Sequence, residues 1–234
     1  MITTRRPLEI SRESFIAMGL FMFLYIAVAV VCLIQWGARD PWARLDRFSV
    51  TYLALAAIVG LEQMLFALRL PGSSAVLAEA FGTRYDPGMA LWSAFLAMGE
   101  ITAFIDYGQL HLIAQLERPP LQMAGLVLCM LTIVWLIWVD GYLAEHFASG
   151  LESRHLIVRG PYSYLRHPRY VGLIASRIGF SLAIPSVFAW VFALGWLLAV
   201  SRRIKLEERH LGGIFGASYS AYVSRTSRLI PGLY

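Results

Sequence analysis

Long apolar segments follow one another along this chain and constrain its fold more than any other feature. The first, Ser14 to Trp36, runs 23 residues without a charge. At about 1.5 Å per residue, a helix of this length crosses the roughly 30 Å hydrocarbon core of a bilayer. Charged residues make up only 15% of the 234 residues, too few to cover the surface of a soluble protein of this size. The sequence therefore predicts an all-α, polytopic integral membrane protein.

Four N-terminal spans and a C-terminal helical hairpin are expected. The first span is predicted to be retained, because no small-residue cleavage site follows it. The next three run from Phe48 to Leu70, from Gly88 to about Ile113, and from Leu121 to Val139. The run from Tyr170 to Val200 is too long for one ordinary span and contains Pro185, which predicts a tight hairpin turning at residues 184–186. A single long, kinked helix is the alternative.

The basic residues predict the orientation. With the hairpin, 15 Lys and Arg residues lie on one side of the membrane and 4 on the other. The positive-inside rule then places both termini and the basic loop after residue 153 in the cytoplasm. A kinked helix would divide these charges less well. The net charge is +5, and the basic residues flank apolar segments. This pattern favours anionic membrane lipids over nucleic acid as a partner.

Two polar segments of the C-terminal third concentrate groups that can do chemistry. Residues 154–170 read RHLIVRGPYSYLRHPRY, and the Gly-Pro and His-Pro pairs predict a loop. Residues 202–210 read RRIKLEERH, and on a helix Arg203 and Glu207 share one face. An aromatic and basic belt at the membrane interface, followed by a solvated helix with ordinary ion pairs, would have the same composition.

The combination of these segments is more specific than either one. GPYSYLRHPRYVG, an apolar hairpin, the pattern R(x)3EE(x)2L(x)3FG(x)2Y(x)2Y and a closing RLIP together resemble the isoprenylcysteine carboxyl methyltransferase family, which is grouped with membrane phospholipid N-methyltransferases. The resemblance covers about residues 154–231, a third of the chain. It implies a membrane methyltransferase that uses S-adenosylmethionine and needs no metal.

The resemblance also implies roles for individual residues. The loop and the His-Pro-x-Tyr turn are expected to wrap the cofactor at the cytoplasmic face. Glu207 and Arg203 take the catalytic roles, Glu207 at the cofactor and Arg203 facing the methyl acceptor. The chain departs from the family at Arg154, a position where a histidine is common. In this chain the histidine is the next residue, His155. The residues expected to bind the cofactor are His155, Leu156, Ile157, Gly160, Tyr162, His167, Pro168, Arg169, Tyr170 and Glu207.

Ionisable residues within the spans are candidates for binding the acceptor, because such residues usually face a cavity or a partner. Arg177 shares a helical face with Tyr170, and Glu100 and Asp106 are hypothesised to line an acceptor tunnel. Structural roles are favoured for Glu62 and His111. Residues 1–140 are then a transmembrane scaffold with the acceptor chamber, and residues 141–234 a methyltransferase-like unit, in one integrated domain.

The expected acceptor is a lipophilic small molecule that enters from the bilayer. A carboxylate such as a prenylated acid is favoured over a thiol or amine lipid, because an arginine can bind a carboxylate through two hydrogen bonds. The spans expected to form the chamber carry no motif that matches the family, so the sequence does not predict the identity of the acceptor. The alternatives are a sterol-type reductase using NADPH, whose C-terminal region is distantly similar, and a transporter or scaffold with acids along a translocation path. Both cysteines lie in apolar runs, so neither a disulfide nor a cysteine metal site is expected.

Overall fold

The structure is a computed structural model that describes residues 46–69, 89–153 and 156–232. Within these ranges the chain is helical and forms no β-strand, which confirms the all-α prediction there. The first predicted span, Ser14 to Trp36, lies outside the described residues. The α-helices are α1 (Arg47–Arg69), α2 (Met89–Ile105), α3 (Pro119–Ser153), α4 (Pro168–Ala183), α5 (Val187–Phe215) and α6 (Ala217–Val223).

Helices α4 and α5 form the predicted hairpin. The chain turns at residues 184–186, where the hydroxyl of Ser186 accepts a hydrogen bond from the backbone N–H of Phe188 at 3.1 Å and so caps α5. Tyr170, near the start of α4, packs in one apolar cluster with Val200 and Ile204 of α5. The two helices are therefore antiparallel, and the kinked single helix is excluded.

Helix α3 is longer than the apolar run that predicts it. The fourth span was expected to end at Val139, yet the helix continues to Ser153 and crosses the boundary between the two predicted regions. It continues because Asp140, fully buried, is paired with Arg169 of α4. The compensated charge allows the helix to pass from an apolar environment to a polar one without a break.

Helix α2 ends earlier than its apolar run. The third span was expected to reach about Ile113, but α2 gives way at Asp106 to a five-residue π-helical turn, Asp106–Leu110. His111 then adopts a left-handed conformation with φ of 51°. The carboxylate of Asp106 accepts a hydrogen bond from the backbone N–H of Leu112 at 3.0 Å, which stabilises this chain reversal.

Glycines bring α3 and α4 unusually close together. A Cβ atom on Gly125 would lie 2.5 Å from the backbone nitrogen of Ala183 and 2.6 Å from the carbonyl oxygen of Gly179. A Cβ on Gly172 would lie 2.7 Å from Leu136. Small residues at such positions let two membrane helices pack backbone against backbone, here from Gly172 near the start of α4 to Ala183 at its end.

The other helices pack around this pair. The ring of Tyr52 in α1 lies 4.6 Å from that of Phe180 in α4. Phe95 of α2 lies 4.3 Å from Phe192 of α5, measured between ring centroids. Among the described residues, Pro119–His146 of α3 and Val187–Phe215 of α5 are long and apolar enough to cross a membrane. The outward surface of α3 agrees with a lipid environment, since Leu131 and Val134 are 63% and 67% exposed.

Candidate active site

The candidate site forms where the loop before α4 meets the polar end of α5. The Tyr170 hydroxyl donates a hydrogen bond to Oε2 of Glu207 at 3.0 Å, and Nδ1 of His167 lies 3.8 Å from the same oxygen. The guanidinium of Arg203 lies 5.6 Å from the centroid of the Tyr170 ring. His167 and Arg203 are both nearly buried, at 3% and 4% exposure. The structure thus brings together four of the residues singled out in the sequence.

The second glutamate of the pair, Glu208, is held by cations on several sides. Its Oε1 accepts hydrogen bonds from Nε of Arg166 at 3.1 Å and from Nε of Arg228 at 3.0 Å. Its Oε2 accepts one from Nη2 of Arg228 at 2.6 Å, and Nε2 of His167 lies 3.4 Å from Oε1. Glu208 therefore joins the loop, α5 and the C-terminal segment.

The C-terminal segment runs alongside the loop. Leu165 and Ser227 form an isolated parallel bridge. The backbone N–H of Arg166 donates to the carbonyl oxygen of Ser227 at 2.8 Å, and that of His167 donates to Arg228 at 3.2 Å. This pairing fixes the backbone that leads into His167.

The Gly-Pro-Tyr turn is positioned by two tyrosines from elsewhere in the chain. Gly160 has a positive φ of 60°, and a Cβ there would lie 2.5 Å from the ring of Tyr142 on α3, so both conformation and space require glycine. The Tyr222 hydroxyl donates to the carbonyl oxygen of Tyr162 at 2.7 Å. Burial raises the pKa of Tyr162, and the negative charge of Asp140 raises it further. Its phenol therefore stays protonated at neutral pH and can donate a hydrogen bond.

The start of α4 is held against α3 by polar contacts. Nε of Arg169 donates to Oδ1 of Asp140 at 2.8 Å, and the Arg169 guanidinium lies 5.5 Å from the ring centroid of Phe66. The indole N–H of Trp135 donates to the carbonyl oxygen of Pro168 at 2.8 Å. Asp140 and Trp135 were not singled out in the sequence, since nothing in the spacing connects them to residues about 30 positions later.

The other residues predicted to bind the methyl acceptor lie at two other heights along the helix bundle. Arg177 lies on α4 beyond Tyr170, about 10 Å along the helix axis, and pairs with Glu100 of α2. Asp106 lies at the opposite end of the hairpin, where it accepts hydrogen bonds from the Ser186 hydroxyl at 2.6 Å and the Val187 N–H at 2.9 Å. The structure therefore does not bring Asp106 to the cluster around Tyr170.

The remaining residues singled out in the sequence lie away from this cluster, elsewhere in the loop, or outside the described residues. His111 is half exposed and its Nδ1 lies 2.8 Å from Oε1 of Glu117, a local pair at the far end of the bundle. Leu156 and Ile157 are partly buried in the loop. His155 lies outside the described residues, as does Arg154. Among the described residues, no three or more His, Cys, Asp and Glu side chains are grouped to hold a metal ion.

Comparison with known proteins connects this region to membrane methyltransferases. Residues 120–218 match the family model described as phospholipid methyltransferase. The protein-S-isoprenylcysteine O-methyltransferase of Schizosaccharomyces pombe is 36% identical over 86 residues, covering 36% of each chain. That of Saccharomyces cerevisiae is 37% identical over 84 residues, covering 34% of each. The predicted resemblance is confirmed for the C-terminal region.

A longer match is to a protein with a different name. The cobalt-zinc-cadmium resistance protein CzcN of Cupriavidus metallidurans is 32% identical over 120 residues, covering 49% of this chain and 51% of that protein. The chain thus spans about one third to one half of the length of these curated relatives. No solved structure matches the chain significantly.

Proposed function

We propose, from the match of residues 120–218 to membrane methyltransferases, that this chain transfers a methyl group from S-adenosylmethionine to a lipophilic acceptor. The loop and the polar end of α5 would bind the cofactor at the cytoplasmic face. The membrane helices would present the acceptor. The predicted roles of Glu207, Arg203 and the loop residues are part of this proposal.

The structural observation that supports the proposal is the unequal hydrogen bonding of the two carboxylate oxygens of Glu207. Its Oε2 is fixed by Tyr170 and lies beside His167, whereas its Oε1 makes no hydrogen bond with the described residues. The side chain is 23% exposed. A carboxylate with one oxygen oriented by the protein and the other available is suited to accept hydrogen bonds from a ligand.

The residues around Glu207 fit the chemistry of S-adenosylmethionine. Glu207 can accept from ribose hydroxyls or from an ammonium group, and the rings of Tyr162 and Tyr170 offer apolar surface for adenine. Arg169 or His167 can bind the carboxylate. When bound, S-adenosylmethionine supplies a methyl group on a sulfonium, which is already a good leaving group. The protein's own task is then to align the acceptor and exclude water.

In this proposal Arg203 would orient the acceptor. Its guanidinium is nearly buried beside Tyr170, one helical turn from Glu207 and on the same face of α5. A buried guanidinium binds a carboxylate through two parallel hydrogen bonds. We therefore favour a lipid carboxylate such as a prenylated acid, whose oxygen would gain the methyl group as the carbon–sulfur bond breaks.

Binding of the cofactor gives the direct test. Isothermal titration calorimetry on the full chain in detergent would use S-adenosylmethionine, S-adenosylhomocysteine and NADPH as separate ligands. We expect the two sulfur compounds to bind and NADPH not to bind. Glu207→Gln keeps the size of the side chain and should weaken S-adenosylhomocysteine about 10- to 100-fold, the effect of losing a hydrogen bond to a charged group. Glu145→Gln, at an exposed position of α3, is the matched control.

Each result has a distinct meaning. Binding of NADPH alone would support the reductase, and a folded protein that binds none of the three would support a transporter or scaffold. Once cofactor binding is established, methyl transfer to a prenylated cysteine would test the acceptor. Arg203→Lys should raise KM for that acceptor and leave the dissociation constant of S-adenosylhomocysteine unchanged. An unchanged KM would remove Arg203 from the acceptor site.

A further inference from the structure

Among the buried polar atoms of the described region, the indole nitrogen of Trp196 and the hydroxyl of Tyr219 stand out because they have no hydrogen-bond partner. Buried polar groups are nearly always paired, so an unpaired one requires an explanation. Trp196, on α5, packs in an apolar cluster with Tyr170 of α4 and Val200 of α5. Tyr219 lies on α6 and faces α5 at Gly212, four residues after Glu208, and it was not among the residues predicted to bind a ligand.

Tyr219 is buried in charged surroundings. It is 5% exposed, and its ring lies against the turn of α5 at Gly212. Burial raises the pKa of Tyr219, and the charges of Glu208 and Glu207 raise it further while Arg166 and Arg228 oppose them. The phenol is therefore neutral. It is close enough to both glutamates for their charges to affect its pKa, and it forms a hydrogen bond with neither of them.

Tyr222, three residues later on the same helix, provides a comparison. It is 3% exposed, and its ring centroid lies 6.1 Å from that of Tyr219. Its hydroxyl donates to the carbonyl oxygen of Tyr162 at 2.7 Å. Two tyrosines of one short helix are thus about equally buried. The hydroxyl of Tyr222 forms a hydrogen bond within the protein, and that of Tyr219 does not. Packing of α6 accounts for both rings, but it does not account for the hydroxyl of Tyr219.

We propose that the hydroxyl of Tyr219 is a ligand-binding group of this site and forms a hydrogen bond with the S-adenosyl ligand when that ligand lies against Glu207. This inference rests on the proposed function. It adds α6 to the cofactor site, so that the ligand would be held by the loop, by α5 and by the helix that follows α5. Tyr222 would position the loop, and Tyr219 would contact the ligand.

The paired tyrosines allow a direct test with S-adenosylhomocysteine as the probe. Tyr219→Phe, Tyr222→Phe and Tyr107→Phe are compared with the unchanged full chain in detergent, by calorimetry and by the thermal midpoint without ligand. Tyr107 lies in the turn after α2, at the opposite end of the bundle from the candidate site, and controls for loss of a phenol hydroxyl. We expect Tyr219→Phe to weaken the ligand about 3- to 10-fold, as for one hydrogen bond, with an unchanged or higher midpoint. Tyr222→Phe should lower the midpoint, because it removes a bond within the protein.

The outcomes separate this inference from the proposed function. If the unchanged chain does not bind S-adenosylhomocysteine, the proposed function fails. If it binds and Tyr219→Phe binds equally well, the proposed function stands and the role of Tyr219 is overturned. Calorimetry also gives the stoichiometry, so the dissociation constant refers to the folded fraction of each variant. Partial loss of folding in Tyr219→Phe therefore does not obscure the result.

Discussion

Glu207 and Glu208 are neighbours on α5, yet their carboxylates have different surroundings. Glu208 is bonded to two arginines and lies beside His167, whereas within the described ranges Glu207 accepts a hydrogen bond from Tyr170 and lies 3.8 Å from His167. The same residue type thus holds the structure together at one position and is proposed to bind a ligand at the next. The sequence predicts a role for Glu207 through its resemblance, but it gives no sign of the role of Glu208, because Arg228 approaches only after the chain has folded back.

Replacing Glu208 should therefore reduce stability. Glu208→Gln leaves Arg166 and Arg228 without their shared anion, and we expect the free energy of unfolding to fall by about 2–3 kcal/mol. Thermal denaturation in detergent measures the effect, with Glu145→Gln as an exposed control. A midpoint unchanged from that control would show that Arg166 and Arg228 do not depend on Glu208.

The buried pair of Asp140 and Arg169 should be more sensitive to a single change. Asp140→Asn leaves a guanidinium without its counter-ion, and loss of one partner of a buried pair costs about 3–5 kcal/mol. The double variant Asp140→Asn/Arg169→Met removes both charges and should recover part of that loss. Equal midpoints for the single and double variants would argue that Arg169 has another sufficient partner.

Among the elements, the hairpin and α3 show what the sequence can and cannot predict. Pro185 and the length of the apolar run were enough to predict the turn of the hairpin, since both act locally. The extension of α3 past Val139 could not be predicted, because it depends on a charge on α4, which lies 29 residues later in the chain. The early end of α2 also involves distant residues, since the Asp106 carboxylate accepts hydrogen bonds from Ser186 and Val187, about 80 positions later.

The close contact of α3 and α4 leads to a prediction about both helices. In Gly125→Ala the new methyl group would meet backbone atoms of Gly179 and Ala183, which cannot rotate away. The helices must separate, and we expect a loss of about 1–3 kcal/mol. Weaker binding of S-adenosylhomocysteine should accompany it, because α4 is one continuous helix from this contact back to its start at the candidate site.

Gly213→Ala on α5 is the matched control for this change. A Cβ there meets nothing within 4 Å, and alanine is favoured over glycine inside a helix by about 0.5–1 kcal/mol. This variant should be as stable as the unchanged chain or more so. If Gly125→Ala behaves in the same way, the contact between α3 and α4 is looser than the structure indicates.

For the whole molecule, the two ends of the bundle have different chemistry. Loop 156–167, the end of α5 and the C-terminal segment form the end with the candidate site. The loop after α2 and the turn of the hairpin meet at the other end through Asp106 and Ser186. The basic residues in the sequence predict that the first of these ends is cytoplasmic, and labelling from the two sides of the membrane tests it.

Single cysteines at exposed positions would report the orientation. In a background with Cys32 and Cys129 replaced by alanine, Tyr164→Cys should react with an impermeant maleimide only from the cytoplasmic side of sealed vesicles. Leu112→Cys, at a residue 55% exposed, should react only from the opposite side. Reaction of both from the same side would contradict the hairpin orientation, and the reversed pattern would place the site outside the cytoplasm.

The pairing of Leu165 with Ser227 has a consequence for the synthesis of the protein. About 60 residues, including both helices of the hairpin, must leave the ribosome and enter the membrane before the partner of this loop exists. Closing a segment of that length carries an entropic cost that grows only slowly with its length, so insertion of the hairpin can precede closure without difficulty. A nascent chain that ends before residue 227 should therefore be inserted in the bilayer while its loop still lacks the C-terminal segment that pairs with it.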